Sequence, residues 1–297
     1  MSTPDSPRIN RRQVLALLGS SAALGPLAQA AAAGTGPIET PLRIGDRALA
    51  LEFDAQMRSR LLSLDGAALP LGDFAPSETL TLAEGGPVED FKLVEHRRER
   101  TEDRTRGPGV RHTLRGQAEG GYEKTVRVVF WQRMPGFATL TVSFRNVSGR
   151  DARIERWSAA AHRLSPGAGW PEYWCFSGAS YEDRRDWVQR ATPGFAQRNF
   201  MGMNASDYGG GTPVTDVWRR DVGIAVGHLE PRPQLVALPI DVTEAGARVA
   251  VEYDAPIEWV DGATIATPTL FVSLHRGGHY ATLERYRDVM AMQGLRA

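Results

Sequence analysis

The sequence predicts an all-β sandwich with antiparallel pairing, and three observations favour this class. Short segments alternate between apolar and polar residues with a period of two, and turn signals recur about every ten residues. Helical spacing is convincing in only one segment, near the end of the sequence. The 297 residues suffice for one large domain or two small ones with a sizeable core.

The alternating segments follow one another from residue 48 onward. A period of two places one face of each strand in a core and the other in water, as in antiparallel sheets. The predicted strands are 48–53, 123–132, 137–148, 152–164, 221–230, 234–244, 247–254 and 268–277. The charge-dense stretch 94–111 mixes both signs and predicts a solvated strand followed by its loop.

The last element is a predicted helix over 279–297. Leu283, Tyr286, Val289 and Met290 form an apolar stripe at helical spacing, and Gly294 is a helix stop. The β-domain that precedes it is expected to span 42–278.

The first 30 residues resemble a twin-arginine export signal. Arg11 and Arg12 precede an apolar run, and Ala28-Gln29-Ala30 fits a cleavage site after Ala30. The run is too short and too often interrupted by glycine, serine and proline to span a bilayer. We therefore expect an exported, periplasmic or extracellular protein with a linker over 31–41 and no membrane span after signal removal.

Composition argues against several other functions. Lys+Arg and Asp+Glu are equal at 35 each, with no basic stripe, so no nucleic-acid partner is expected. Cys175, the single cysteine, lies among aromatic residues and is expected to be buried and inert. The six histidines lack metal-ligand spacing, so neither a metal nor a cofactor is expected.

Residues 203–228, MNASDYGGGTPVTDVWRRDVGIAVGH, gather the side chains of a polar-ligand pocket. On a strand over 215–222, Asp216 and Trp218 would share one face, and Arg219 and Asp221 the other. Acids held ionised by arginine suit hydrogen bonding to a substrate, and an Asp–Arg structural network is an equally good interpretation. The candidate substrate-binding or domain-interface residues are Asp207, Tyr208, Asp216, Trp218, Arg219, Asp221 and Trp174.

Aromatic residues are dense between Trp157 and Trp218, which favours either sugar stacking or a seam between two sheets. His162 or His228 with Glu230 would suit a sugar epimerase if they converged on a pocket. No serine lies in a nucleophile motif.

Two segments resemble a known family. WCFSGASYEDRRDWV (174–188) and GFAQRNFMGMNASDYGGGTPVTDVWRRDVGIAVGH (194–228) are similar to the N-terminal β-supersandwich domain of bacterial melibiase-type α-galactosidases, glycoside hydrolase family 36 and its clan. The closing YATLERYRDVMAMQG resembles the segment that leads into their catalytic (β/α)8 barrel. The resemblance implies a galactose mutarotase-like antiparallel β-supersandwich.

The resemblance also implies retaining hydrolysis of terminal α-galactosides by two aspartates of the barrel. A barrel needs about 250 residues, so no catalytic residue is assigned here, and this chain alone is expected to be inactive. The expected partners are a barrel in cis or in trans and an α-galactoside or other glycan, and oligomerisation stays open. The alternatives are a stand-alone periplasmic carbohydrate-binding protein and a mutarotase-like aldose epimerase.

Overall fold

A computed structural model describes residues 38–64, 68–167, 172–177, 187–200, 212–232 and 234–295. The predicted export signal and most of the predicted linker lie outside these ranges, as do the candidates Asp207 and Tyr208.

Antiparallel strands make up most of the described chain, and one helix follows them. The elements are β1 (Leu42–Gly45), β2 (Leu49–Phe53), β3 (Ser59–Ser63), β4 (Leu69–Pro70), β5 (Thr79–Leu82), β6 (Gly86–Val88), β7 (Lys92–Asp103), β8 (Gly107–Ala118), β9 (Tyr122–Trp131), β10 (Phe137–Asn146), β11 (Ala152–Leu164), β12 (Tyr173–Ser177), β13 (Val188–Ala191), β14 (Ala196–Phe200), β15 (Val214–Trp218), β16 (Gly223–His228), β17 (Ala237–Thr243), β18 (Gly246–Tyr253), β19 (Ile257–Trp259), β20 (Thr264–Ala266), β21 (Leu270–His275) and α1 (His279–Met292).

These strands form three sheets. The largest has ten strands in the order β13-β12-β15-β16-β21-β10-β9-β8-β7, with β20 paired to β10. The second has seven, in the order β14-β17-β18-β11-β5-β6, with β19 paired to β11. A four-stranded meander runs β1-β2-β3-β4. This architecture confirms the predicted all-β antiparallel sandwich.

The main core lies between the two larger sheets, where alternate residues of each strand meet. In β9, Val126, Val128 and Phe130 are buried in this core, whereas Arg127 and Val129 alternate with them on the opposite face. This alternation is the period of two that the sequence displays, and it fixes the strand register because a one-residue shift would expose the apolar set.

The strand boundaries follow the predictions closely in most places, and β11 coincides with the predicted 152–164. The prediction for 94–111 was wrong in one respect, because this stretch belongs to two strands, β7 and β8, joined by a tight turn. The Asp103 carboxylate accepts hydrogen bonds from the backbone N–H groups of Thr105 and Arg106, both at 2.9 Å. Gly107 then supplies a positive φ of 77°, so the chain reverses within a few residues.

Helix α1 packs on the outer face of the ten-stranded sheet. Val289 is buried against Phe271 and Phe137, and Tyr286 and Met290 pack around them. The helix begins directly after Gly278, at the predicted first residue His279, and Gly294 beyond its end adopts a positive φ of 80°. The apolar stripe predicted for this helix is thus the face that covers the sheet.

Candidate functional site

The structure places five of the seven predicted site residues near the start of α1. Trp174 lies on β12, Asp216 and Trp218 lie on β15, and Arg219 and Asp221 follow β15 directly. Asp207 and Tyr208 lie outside the described residues.

The carboxylate of Asp216 is buried and ties three elements together. His275 on β21 donates a hydrogen bond from Nε2 to Asp216 Oδ1 at 2.8 Å. The Thr282 hydroxyl of α1 donates to Asp216 Oδ2, also at 2.8 Å. Asp216 is 0% exposed and Thr282 only 1%. In this position Asp216 anchors the first turn of α1 to the sheet, and its carboxylate does not face solvent.

A glycine on the intervening strand makes the contact between His275 and Asp216 possible. Gly223 on β16 pairs with both Trp218 and His275, so it lies between β15 and β21. A Cβ atom at Gly223 would lie 2.2 Å from His275 Nε2, closer than any real contact. The imidazole therefore crosses over β16 only because residue 223 has no side chain.

Arg219 and Asp221 form an ion pair, as the sequence predicted for acids beside arginines. Arg219 Nε donates to Asp221 Oδ1 at 2.8 Å, and the guanidinium also donates to the backbone carbonyl of Ser165. The predicted strand over 215–222 was wrong, because β15 ends at Trp218. A turn follows, in which the backbone N–H of Arg219 donates to the carbonyl of Val222 at 3.0 Å. Arg219 and Asp221 therefore lie in a turn and not on the face of a strand.

Trp174 and Trp218 are directly opposite each other in the register of the β12–β15 pair. His279 at the start of α1 stacks on Phe176 with ring centroids 5.2 Å apart and also approaches Trp218. Trp174, Trp187 and Tyr280 are exposed by 41%, 45% and 73%. We call this group the aromatic surface, formed by Trp174, Phe176, Trp187, Trp218, His279 and Tyr280.

A cleft of about 260 Å³ opens beside the aromatic surface. Its lining residues are Glu172, Trp174, Trp218, Arg219, Arg220 and Gly277. Exposed indoles next to a carboxylate and guanidinium groups match the chemistry of a polar-ligand site or of a domain interface. Four predicted site residues therefore meet at one place: three line the cleft, and Asp221 pairs with one of them.

Of the two histidines in the epimerase alternative, only His228 has Glu230 close enough to affect its pKa. His162 lies on β11 of the seven-stranded sheet, whereas His228 lies on β16 of the ten-stranded sheet. His162 is fully buried, burial lowers its pKa to about 3, and neither ring nitrogen has a hydrogen-bond partner among the described residues. Burial also lowers the pKa of His228 to about 4, and Glu230 accepts a backbone hydrogen bond from Thr269 at 2.8 Å.

Cys175 is buried as predicted, and burial raises the pKa of its thiol to about 12. Within the described ranges, no group of three or more histidine, cysteine or acidic residues is placed to hold a metal ion. None of the helices in those ranges is both long and apolar enough to cross a bilayer.

Sequence reasoning did not identify His275 and Thr282 as the partners of Asp216. They are 59 and 66 residues away from it along the chain. The local sequence offers only Gly223 as a sign of this contact, and the glycine is informative only once β15 and β21 are known to flank β16. Which strands become neighbours is decided by the whole sheet and not by the local sequence.

Comparison with known proteins shows the fold of this chain. The sequence matches no family model, and no curated protein is similar to it at a significant level. Among solved structures, the α-galactosidase from Lactobacillus brevis superposes with a TM-score of 0.61 at 10% identity, over 84% of this chain and 41% of that one. The GH36 α-galactosidase AgaB from Geobacillus stearothermophilus gives 0.54 at 13% identity, over 84% and 43%.

A third enzyme, the α-N-acetylgalactosaminidase NagBb from Bifidobacterium bifidum, gives a TM-score of 0.55 at 17% identity, over 85% of this chain and 39% of that one. This chain thus spans less than half the length of each of these enzymes. Identities this low establish a shared fold alone. The chain therefore has the all-β fold found in one part of α-galactosidase chains.

Proposed function

We propose that this chain is a non-catalytic domain of an exported α-galactosidase-like glycoside hydrolase. It packs on a (β/α)8 catalytic domain, supplied in cis or in trans, and contributes one wall of the sugar site. The observation that carries the proposal is the superposition of 84% of this chain on only 41% of the Lactobacillus brevis α-galactosidase. The remainder of that enzyme leaves room for a barrel of about 250 residues.

The aromatic surface is the proposed docking face. Exposed aromatic groups of this size are uncommon on a free surface and are enriched at interfaces. Asp216 and Thr282 hold the start of α1 in a fixed position, so the aromatic surface is preorganised for a partner. Asp207 and Tyr208 belong to the same proposed wall by their place in the sequence.

Hydrolysis of p-nitrophenyl α-galactoside tests this function. The native protein is isolated with an antibody to this chain, and its activity is compared with that of the recombinant 297-residue chain. We expect activity in the native preparation and none in the recombinant chain, because the two catalytic aspartates belong to the partner. Activity of the recombinant chain by itself, or an inactive native preparation, would contradict the proposal.

A substitution in the aromatic surface tests whether this surface is the interface with the catalytic domain. Trp218→Ala, introduced into the native assembly, should lower its specific activity several-fold, because the indole forms both the cleft wall and the docking surface. Val260→Ala is the matched control, since Val260 is an exposed apolar residue after β19 and lies outside the cleft. Equal activities of the two variants would remove Trp218 from the proposed interface.

Sugar binding without a catalytic partner is a second candidate function. The specific observation is the cleft in which the exposed indole of Trp174 lies beside Glu172 and Arg220. In that case the recombinant chain binds galactose or melibiose in a calorimeter, and Trp174→Ala abolishes the heat of binding.

A further inference from the structure

A second cleft lies on the outer face of the ten-stranded sheet, beside the part that α1 covers. Its volume is about 260 Å³, and strands β7 to β10 with the β7–β8 turn form it. We call it the arginine cleft, after Arg106, Arg111 and Arg127, which line it together with Trp131, Thr139 and Thr141. The aromatic surface involves none of these residues.

Strand register brings these side chains together. Arg127 on β9 lies opposite Thr141 on β10, and Val129 pairs with both Arg111 and Thr139. All of them alternate with core residues, so they share the outer face. The cleft is therefore built on hydrogen-bonded strands of the sheet.

Arg127 has no counter-charge. It makes no ion pair or hydrogen bond with any described residue, although strands β8 and β10 flank it on both sides. Arginines that line a concave polar surface without a paired acid are available to bind an anion from solution.

Arg106 is held in place by the Trp131 ring and by a long ion pair with Asp103. Its guanidinium lies 5.7 Å from the centre of the Trp131 ring. Its Nε is buried and has no hydrogen-bond partner in the described chain. Asp103 Oδ2 lies 4.0 Å from a guanidinium nitrogen of Arg106 and forms a long ion pair with it, while Asp103 Oδ1 accepts three hydrogen bonds in the β7–β8 turn.

The Thr139 hydroxyl and the Trp131 indole form the floor of the cleft. Trp131 Nε1 donates to Thr139 Oγ1 at 2.9 Å. The Thr139 side chain is buried, and its own O–H donates to no described atom. Gly109 lets the indole lie flat against β8, because a Cβ there would be 2.8 Å from Trp131 Cε3.

Arg111 is held by hydrogen bonds to two residues of β7. It donates to Glu99 Oε1 and to Thr101 Oγ1, both at 3.0 Å. With Arg111 paired to Glu99 and Arg106 in a long ion pair with Asp103, Arg127 is the guanidinium of the lining that has no ion-pair partner in the described chain. Arg127 is therefore the charge that an anion in the cleft would meet.

We propose that the arginine cleft binds a small oxyanion, either the carboxylate of an acidic sugar or a free inorganic oxyanion. Guanidinium groups hold carboxylate and sulfate oxygens through paired N–H donors. The Thr139 and Thr141 hydroxyls suit additional oxygen atoms of the ligand. The volume lies below the usual range of about 300–1,000 Å³ for ligand pockets, which restricts the occupant to about one sugar ring.

Isothermal titration calorimetry of the full chain at low ionic strength tests this inference. The probes are galacturonate, sodium sulfate and neutral galactose. We expect galacturonate or sulfate to bind, and any heat from galactose to be the same for wild type and Arg127→Gln. Tighter binding of galacturonate identifies the acidic sugar as the ligand, and equal or tighter binding of sulfate identifies the free oxyanion.

Two variants locate the binding. Arg127→Gln should weaken oxyanion binding at least tenfold, whereas Arg145→Gln should leave it unchanged. Arg145 is an exposed arginine on the same face of β10 and lies outside the cleft. Absence of oxyanion binding, or identical dissociation constants for wild type and Arg127→Gln, would overturn the inference. The measurement involves no catalytic partner, so it is independent of the proposed function.

Discussion

At the scale of single residues, the Asp216 carboxylate is fully buried and accepts hydrogen bonds from His275 and Thr282. A carboxylate and an imidazole at this distance resemble a catalytic pair. Burial separates them from any substrate, so they hold α1 in place instead.

Replacing Asp216 should therefore affect stability. Asp216→Ala leaves the His275 Nε2–H and the Thr282 hydroxyl buried without an acceptor, and we expect a loss of about 3 kcal/mol in the free energy of unfolding. Urea denaturation measures it. Asp288→Ala is the control, because its ion pair with Arg287 is exposed and its loss should cost less than about 0.5 kcal/mol. Equal costs for the two variants would contradict the anchoring role.

Buried His162 predicts a dependence of stability on pH. Burial lowers its folded-state pKa to about 3 from an ordinary value of 6.5. The unfolded chain therefore binds a proton between these values while the folded chain does not, so stability is greatest above pH 6.5 and falls as the pH falls towards 3.

We expect His162 to make the protein about 2 kcal/mol less stable at pH 5 than at pH 7. Urea denaturation of wild type and His162→Leu at both pH values measures this contribution. The variant should lose about that much of the pH dependence. An unchanged difference between the two pH values in the variant would show that His162 is not buried in its neutral form.

At the scale of elements, α1 is attached to the sheet through an apolar contact region, the Asp216 bonds, the stacking of His279 on Phe176, and Arg285, which donates to the Ser273 hydroxyl and the Leu274 carbonyl. Val289→Ala should cost about 2 kcal/mol, because it leaves a cavity against Phe271 and Phe137. Hydrogen exchange of the α1 amides measures the loss as faster exchange. Glu284→Ala, on an exposed position of the same helix, should leave exchange unchanged. Equal protection in both variants would mean that the helix is not held by this contact.

The elements themselves were largely predictable, because each depends on a local pattern. The alternation in β9 to β11 and the stripe of Leu283, Tyr286 and Val289 are visible within ten residues or so. The β7–β8 hairpin was harder to recognise, because Arg and Glu occupy both faces of β7, which is the edge strand of its sheet. Charges there disfavour pairing with another molecule and also hide the periodicity.

The candidate site was predictable only in part, because it depends on which strands become neighbours. The residue types and the Arg219–Asp221 pair were readable from their spacing. The burial of Asp216 was not, because it results from β15, β16 and β21 lying side by side, with Gly223 leaving space for His275.

At the scale of the whole molecule, the proposed export rests on residues 1–30. Replacing Arg11 and Arg12 with lysine should block twin-arginine export, so that the uncleaved precursor accumulates in the cytoplasm. Immunoblots of cell fractions measure this accumulation, and replacing Arg8 with lysine is the control outside the pair. Normal export of the double variant would exclude the twin-arginine route.

The measurement that tests the central claim most directly is the mass of the native particle that carries this domain. Size-exclusion chromatography of a native extract, followed by an immunoblot against this chain, gives that mass. We predict a particle larger than this 32.5 kDa chain by at least one barrel of about 250 residues, whether fused or bound. A particle that contains this chain alone, with no catalytic partner, would contradict the account.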